Sequence, residues 1–174
     1  MKLLIVIDVQ NDFVTGSLST PEAQAIIPKV KRTILAARRQ GYEVIYTRDT
    51  HYNDYLNTFE GKHLPILHCI KDTEGWEVVK DIDIPEAIHI NKTTFGVADF
   101  WFELDDAGVK WKEIEEITIC GLVSDICLIT NCLILRTDFP EVPIYVLKDC
   151  CAGTTPEKHE MAMKILESNL IEII

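Results

Sequence analysis

Six short apolar runs, spread along the whole chain and separated by stretches with helical periodicity, constrain the fold more than any other feature of this sequence. Leu3-Leu4-Ile5-Val6-Ile7 is the first, and Glu43 to Thr47, Ala87 to Ile90, Ile117 to Cys120, Ile144 to Leu147 and Leu170 to Ile174 follow. Several are apolar at nearly every position and rich in β-branched or aromatic residues. That is the pattern of strands covered on both faces of a parallel sheet, not of half-exposed antiparallel strands. Between them, Pro28 to Gln40 carries Val30, Ile34 and Ala37 on one face, opens on a proline suited to a first helical turn and ends at Gly41. Ala98 to Ala107, Asp125 to Thr137 and Pro156 to Asn169 read as further helices. The alternation predicts an α/β protein, a three-layer α/β/α doubly wound sheet, mostly parallel, of about six strands. No repeat or Pro/Gly linker interrupts the chain, so residues 1–174 are expected to form a single domain.

Composition removes several classes of function. Seventeen Lys and Arg against 28 Asp and Glu give a net charge of −11, which repels phosphate backbones and anionic membrane surfaces. Neither a nucleic-acid nor a membrane partner is expected. The first apolar run follows Met1-Lys2 directly, lacks a cleavage site and is too short to span a bilayer. Six cysteines, at 69, 120, 127, 132, 150 and 151, lie mostly in apolar or strand-like stretches without the spacing of a disulfide scaffold. Together these features read as a reduced, cytoplasmic protein.

In an open α/β sheet, ligands bind beyond the carboxyl ends of the strands. The residues found there are Asp8 of D-V-Q-N-D-F, then Arg48-Asp49-Thr50-His51, then Lys92 of N-K-T-T-F-G, and then Gly121-Leu122-Val123-Ser124-Asp125-Ile126-Cys127. An acid, a base and a thiol therefore collect on one rim. Cys127 falls at the start of a predicted helix, where free amides and the helix dipole favour a thiolate. A cysteine taken alone is more often a small packed hydrophobe, the reading kept for the other five. Beside it, a lysine can stabilise the thiolate and a carboxylate can take its proton, so Asp8, Lys92 and Cys127 suggest a catalytic triad. The polar stretch from Arg48 to Gly75 has no convincing periodicity, and loops this long are usually functional or disordered. Within it, Asp49, His51 and His68 form a donor set suited to Zn²⁺, Mn²⁺ or Fe²⁺.

D-V-Q-N-D-F after the first strand, a Lys after the third and G-L-V-S-D-I-C after the fourth resemble the isochorismatase-like cysteine hydrolases, over essentially the whole chain. The resemblance implies the triad Asp8, Lys92 and Cys127 and an oxyanion hole of the Val123 and Cys127 backbone amides. It also implies a cis peptide between Leu122 and Val123. Its nicotinamidase branch carries D-x-H followed by H-C at similar spacing, which implies a divalent metal, zinc first, on Asp49, His51 and His68. His63 matches no ligand position of that branch, and the metal-free isochorismatase branch lacks the trio. Phe13 matches one aromatic wall of the substrate pocket and Phe95 is placed as a second contributor. Nicotinamidases have a Trp-Pro pair shortly before the second metal histidine, whereas this chain has Leu64-Pro65-Ile66-Leu67, so their indole stacking surface is absent. Trp76 is expected to pack and not to bind. The implied activity is hydrolysis of a small amide through a thioester, in a homo-oligomer. The alternatives are a carbamoyl or ureido compound or isochorismate as substrate, or a catalytically silent binding protein.

Overall fold

The computed structural model describes residues 1–174. Six strands make one sheet: β1 (Lys2–Ile7), β2 (Glu43–Asp49), β3 (Ile88–Lys92), β4 (Glu116–Leu122), β5 (Ile144–Ala152) and β6 (Glu172–Ile173). Their order is β3-β2-β1-β4-β5-β6 and every pairing is parallel, so the sheet is wholly, not mostly, parallel. The helices are α1 (Asn11–Val14), α2 (Pro21–Arg39), α3 (Phe59–His63), α4 (Phe100–Asp106), α5 (Ile129–Asp138) and α6 (Pro156–Ser168). Helix α2 packs over β2, β4 and β5, while α4, α5 and α6 pack against one another in a separate layer. This is the doubly wound three-layer arrangement. The apolar run of β1 sits at its centre, with Leu3 to Ile7 fully buried.

Several expected boundaries move. Helix α2 begins at Pro21, not at Pro28, because Thr20 caps it by accepting the Ala23 amide at 3.1 Å. Pro28 lies inside the helix on its exposed side, where the Gln24 carbonyl left without a helical donor can meet water. Strand β5 continues past Leu147 to Ala152, its register against β4 shifting between Ile119 and Gly121. The Arg48 to Gly75 stretch is also more ordered than its composition suggests. Tyr55–Asn57 and Phe59–His63 form short helical turns, and Thr58 caps the second by accepting the Gly61 amide at 3.0 Å. No helix is long and apolar enough to cross a membrane, and all six cysteines are free.

Candidate active site

Parallel pairing places the ends of β1, β2, β3 and β4 side by side. Asp49 and Lys92 are register partners, as are Ile7 and both Thr47 and Gly121. Asp8 follows β1 with φ 47°, a left-handed backbone that turns its side chain into the sheet edge. There it is fully buried and its Oδ1 accepts the Thr47 hydroxyl at 2.6 Å. Its Oδ2 lies 2.6 Å from the Lys92 ammonium, an ion pair whose angles are not those of a hydrogen bond. Lys92 also donates to Asp49 Oδ1 at 3.2 Å, to the Thr94 carbonyl at 3.2 Å and to Cys127 Sγ at 3.6 Å. One ammonium thus touches both carboxylates and the thiol, with all four side chains buried.

The electrostatics follow from that burial. Desolvation disfavours the charged form of Lys92, but the groups it touches, Asp8 first, outweigh it and hold the lysine above its usual range. Burial pushes the Asp8 carboxyl up, against the pull of Lys92. Burial and the adjacent Asp8 also push the Cys127 thiol well up, with Lys92 opposing them. Both effects favour the neutral thiol, so the pull of the helix terminus toward a thiolate is opposed by desolvation of the sulfur and by the carboxylate beside it.

Cys127 sits in a π-helical turn, Ser124–Leu128, that precedes α5. The chain enters this turn through Gly121, with φ +124°, and an extended Val123 with φ −89°. All peptide bonds are trans, so the expected cis bond between Leu122 and Val123 is not present; the glycine supplies the change of direction. The Val123 carbonyl accepts the amides of Ile126 and Leu128, both at 3.1 Å. Asn131, fully buried, donates to the Cys127 carbonyl at 2.7 Å and accepts the Val97 amide at 2.8 Å, joining this turn to the segment after Lys92.

Beside the lysine, one ligand atom each from Asp49, His51 and His68 lie within 4.8 Å of one another, all three residues buried. His51 Nε2 is 3.0 Å from Asp49 Oδ2 and His68 Nε2 is 3.6 Å from the same oxygen. The His68 Nδ1 donates to the Ile66 carbonyl at 2.8 Å, which leaves its Nε2 lone pair facing the trio. Burial would raise Asp49, but the adjacent His51 and His68 and the charge of Lys92 hold it below the usual carboxylate range. Two imidazoles and a carboxylate directed at one point, with an imidazole tautomer fixed from outside, fit a divalent cation.

Phe13 meets His68 edge-on with centroids 5.8 Å apart, beside the trio. Phe95 is 46% exposed and its ring stands at the surface. His63 is exposed and packs on Phe59, away from the trio. Trp76 is a packing residue: Arg48 lies 3.8 Å over its ring, and its indole donates to Thr50 at 2.9 Å.

Residues 2–174 match the model of the isochorismatase domain. The chain belongs to the isochorismatase domain family. It is 31% identical to a nicotinamidase of Saccharomyces cerevisiae over 109 residues, which is 47% of this chain and half, 50%, of that one. A nicotinamidase/pyrazinamidase of Mycobacterium tuberculosis is 22% identical over 198 residues, 100% of this chain and 98% of that one. Among solved structures, the pyrazinamidase of Pyrococcus horikoshii in complex with zinc superposes with a TM-score of 0.84 at 29% identity, covering 99% and 98% of the two chains.

Within this isochorismatase domain, four side chains shape the site without having been singled out by the sequence. Gln10, fully buried, accepts the Asp49 amide at 2.7 Å and donates to the carbonyls of Asp49 at 2.9 Å and Trp76 at 2.7 Å. Tyr55, also fully buried, packs its ring against His51 and His68 with centroids 4.5 and 5.0 Å away. Its hydroxyl donates to the Leu64 carbonyl at 2.9 Å, and burial beside Glu60 and Asp49 raises it to about 12. Glu60 brings Oε1 to 3.6 Å from His51 and 3.7 Å from His68. Asn131 is the fourth. Three of these signals were present, Gln10 within D-V-Q-N-D-F and Glu60 in the turn that Thr58 caps with Tyr55 just ahead of it, but nothing in their spacing says that they lie against Asp49, His51 and His68.

Proposed function

We propose that the protein is a cysteine hydrolase that cleaves a small amide, releasing ammonia by way of a thioester. The observation that carries this reading is the buried contact of Lys92 with Asp8 at 2.6 Å and Cys127 at 3.6 Å. Asp8 takes the proton of the Cys127 thiol, and the sulfur attacks the amide carbonyl. The backbone amides of Val123 and Cys127 hold the resulting oxyanion. As the tetrahedral intermediate collapses, the C–N bond breaks and Asp8 returns the proton to the departing nitrogen. Water, deprotonated by the same carboxylate, then attacks the thioester; the C–S bond breaks and the thiol recovers its proton. Lys92 stays charged throughout and holds base and sulfur together.

Asp49, His51 and His68 would hold a divalent ion, zinc first, which when bound supplies a fixed positive charge that orients a substrate carbonyl or ring nitrogen. The pyrazinamidase of similar fold in complex with zinc supports that assignment. Phe13 lines the pocket beside His68, and Phe95, exposed after Lys92, is the second residue offered to the substrate. The nicotinamidase relatives support an amide as the substrate class. With Leu64-Pro65-Ile66-Leu67 before His68, the ring-stacking indole is missing, so the substrate need not be a flat heteroaromatic amide.

Ammonia release from nicotinamide, pyrazinamide and ureido compounds tests the reading. The zinc-supplemented protein turns over at least one compound of the panel, and Cys127→Ala abolishes that turnover. Substantial residual hydrolysis in the variant would eliminate the covalent route.

A further inference from the structure

We propose that His159 is a positioning residue for the nucleophile: through Ser124 it fixes the turn that carries Cys127. This rests on Cys127 being the nucleophile. The turn is the least regular piece of backbone in the site, since the Ile129 amide reaches back five residues to the Ser124 carbonyl. Such turns are rare as isolated geometry and persist where neighbours hold them. Asn131 secures the Cys127 end through the carbonyl at 2.7 Å. The other end is secured from α6, because Ser124 Oγ is fully buried and lies 2.9 Å from His159 Nδ1. A buried hydroxyl is costly unless bonded, so this pair specifies an orientation where an apolar residue would only fill space.

The surroundings leave little freedom for any other arrangement. Asp125, next in the turn, accepts the Thr154 amide at 2.7 Å and its hydroxyl at 2.6 Å. A Cβ on Gly153 would lie 2.9 Å from each of Ser124 Oγ, Asp125 Oδ1 and the His159 amide. The Asp125 clamp already ties the turn to the β5–α6 connection, so the Ser124–His159 bond adds direction more than attachment. The charged groups around His159 are Glu160 on its own helix, Lys148 and Asp149 on β5 and Asp125 on the turn. Burial outweighs the carboxylates and holds the imidazole below its usual range, leaving Nδ1 free to accept the Ser124 proton in the neutral form. Ser124 is three residues before Cys127, so rotating the turn carries Sγ away from Lys92.

The test is the rate at which iodoacetamide labels Cys127 in the full chain, read by mass spectrometry, alongside turnover of the amide panel. His159→Ala and Ser124→Ala should each slow labelling and lower kcat by about tenfold or more with KM little changed, as expected for a misplaced reacting atom. The double variant should be no slower than either single one, the sign of one shared contact. His159→Asn, which can still accept from the hydroxyl, should recover to within about threefold of wild type. The Tm of each variant, measured alongside, separates lost positioning from failed folding: the variants should stay folded at the assay temperature while labelling and kcat fall. Losses that multiply in the double variant, or labelling and kcat unchanged in His159→Ala while Cys127→Ala is inactive, would overturn the positioning role. Continued hydrolysis by Cys127→Ala would instead defeat the nucleophile assignment beneath it.

Discussion

The Gln10 clamp permits a quantitative prediction, because Gln10→Glu changes one amide nitrogen to oxygen without changing shape. In the native chain that nitrogen donates to two carbonyls, of Asp49 at 2.9 Å and of Trp76 at 2.7 Å. A protonated carboxyl has one donor for the two acceptors and strands the other, which costs about 1–3 kcal/mol in a buried site. The ionised form strands both and adds a charge beside the Asp49 backbone, so the introduced group stays neutral in the fold while the unfolded chain ionises near pH 4.3, roughly the free Glu value. A carboxyl raised on folding loses stability as pH climbs above its unfolded value, by about 1.4 kcal/mol per pH unit until it ionises in place. The deficit relative to wild type should therefore grow by about 3 kcal/mol between roughly pH 5 and pH 7.5, if burial raises the group by about three units or more. Urea unfolding of both proteins at the two pH values measures it. A deficit identical at both, or no deficit at all, would refute the account of Gln10 as a two-way backbone partner of Asp49.

Other outcomes follow from the same geometry. Gly121→Ala should destabilise the fold by about 3 kcal/mol or more, seen as a lower Tm, because the added Cβ would sit 2.1 Å from the Ile7 carbonyl at φ +124°. Glu116 is pushed up by burial but held down overall by its bond from Lys2 at 2.8 Å and by the Tyr42 hydroxyl. Its contribution is thus present above the usual carboxylate pKa and lost below it, so Glu116→Gln should lower Tm at pH 7 and leave it unchanged in strong acid. Zinc at about a hundred times its Kd should stabilise the protein by about 2.7 kcal/mol, raising Tm by roughly 5–11 °C, with EDTA reversing the shift and His68→Ala removing it. An unshifted Tm with zinc would count against the metal site.

What could be read from the sequence was what parallel sheets enforce. Runs such as Leu3 to Ile7, with no polar position, have only one environment that suits them, and placing their ends together brings Asp8, Asp49, Lys92 and Cys127 to one rim from the sequence alone. Less accessible was anything decided by a single backbone hydrogen bond. Pro28 looks like a helix start until the Thr20 cap makes Pro21 the better one. Leu170 to Ile174 reads as a five-residue strand, but Leu170 adopts φ 59° to end α6 and only Glu172–Ile173 pairs. Gln10 and Asn131 act on groups such as the Asp49, Trp76 and Val97 backbone far along the chain, and such partners leave no periodic trace. The opposition to a Cys127 thiolate was hidden for a different reason: the helix terminus is local and visible, whereas the desolvation that opposes it comes from every element packed around the turn.

The strand order also governs how the molecule must come together. Strand β1 pairs with β2 about forty residues on and with β4 more than a hundred residues on. It is synthesised before both, yet it is the most completely enclosed strand of the sheet. Until β4 has been made, a ribosome-bound intermediate carries an apolar edge with unpaired amides and carbonyls, the kind of surface that captures other chains. Asp8 is likewise translated long before Cys127, so their meeting waits on β4 as well. The gathering of Asp8, Asp49, Lys92 and Cys127 and the closure of the aggregation-prone edge are thereby the same late folding event, and a chain stalled short of β4 would have neither.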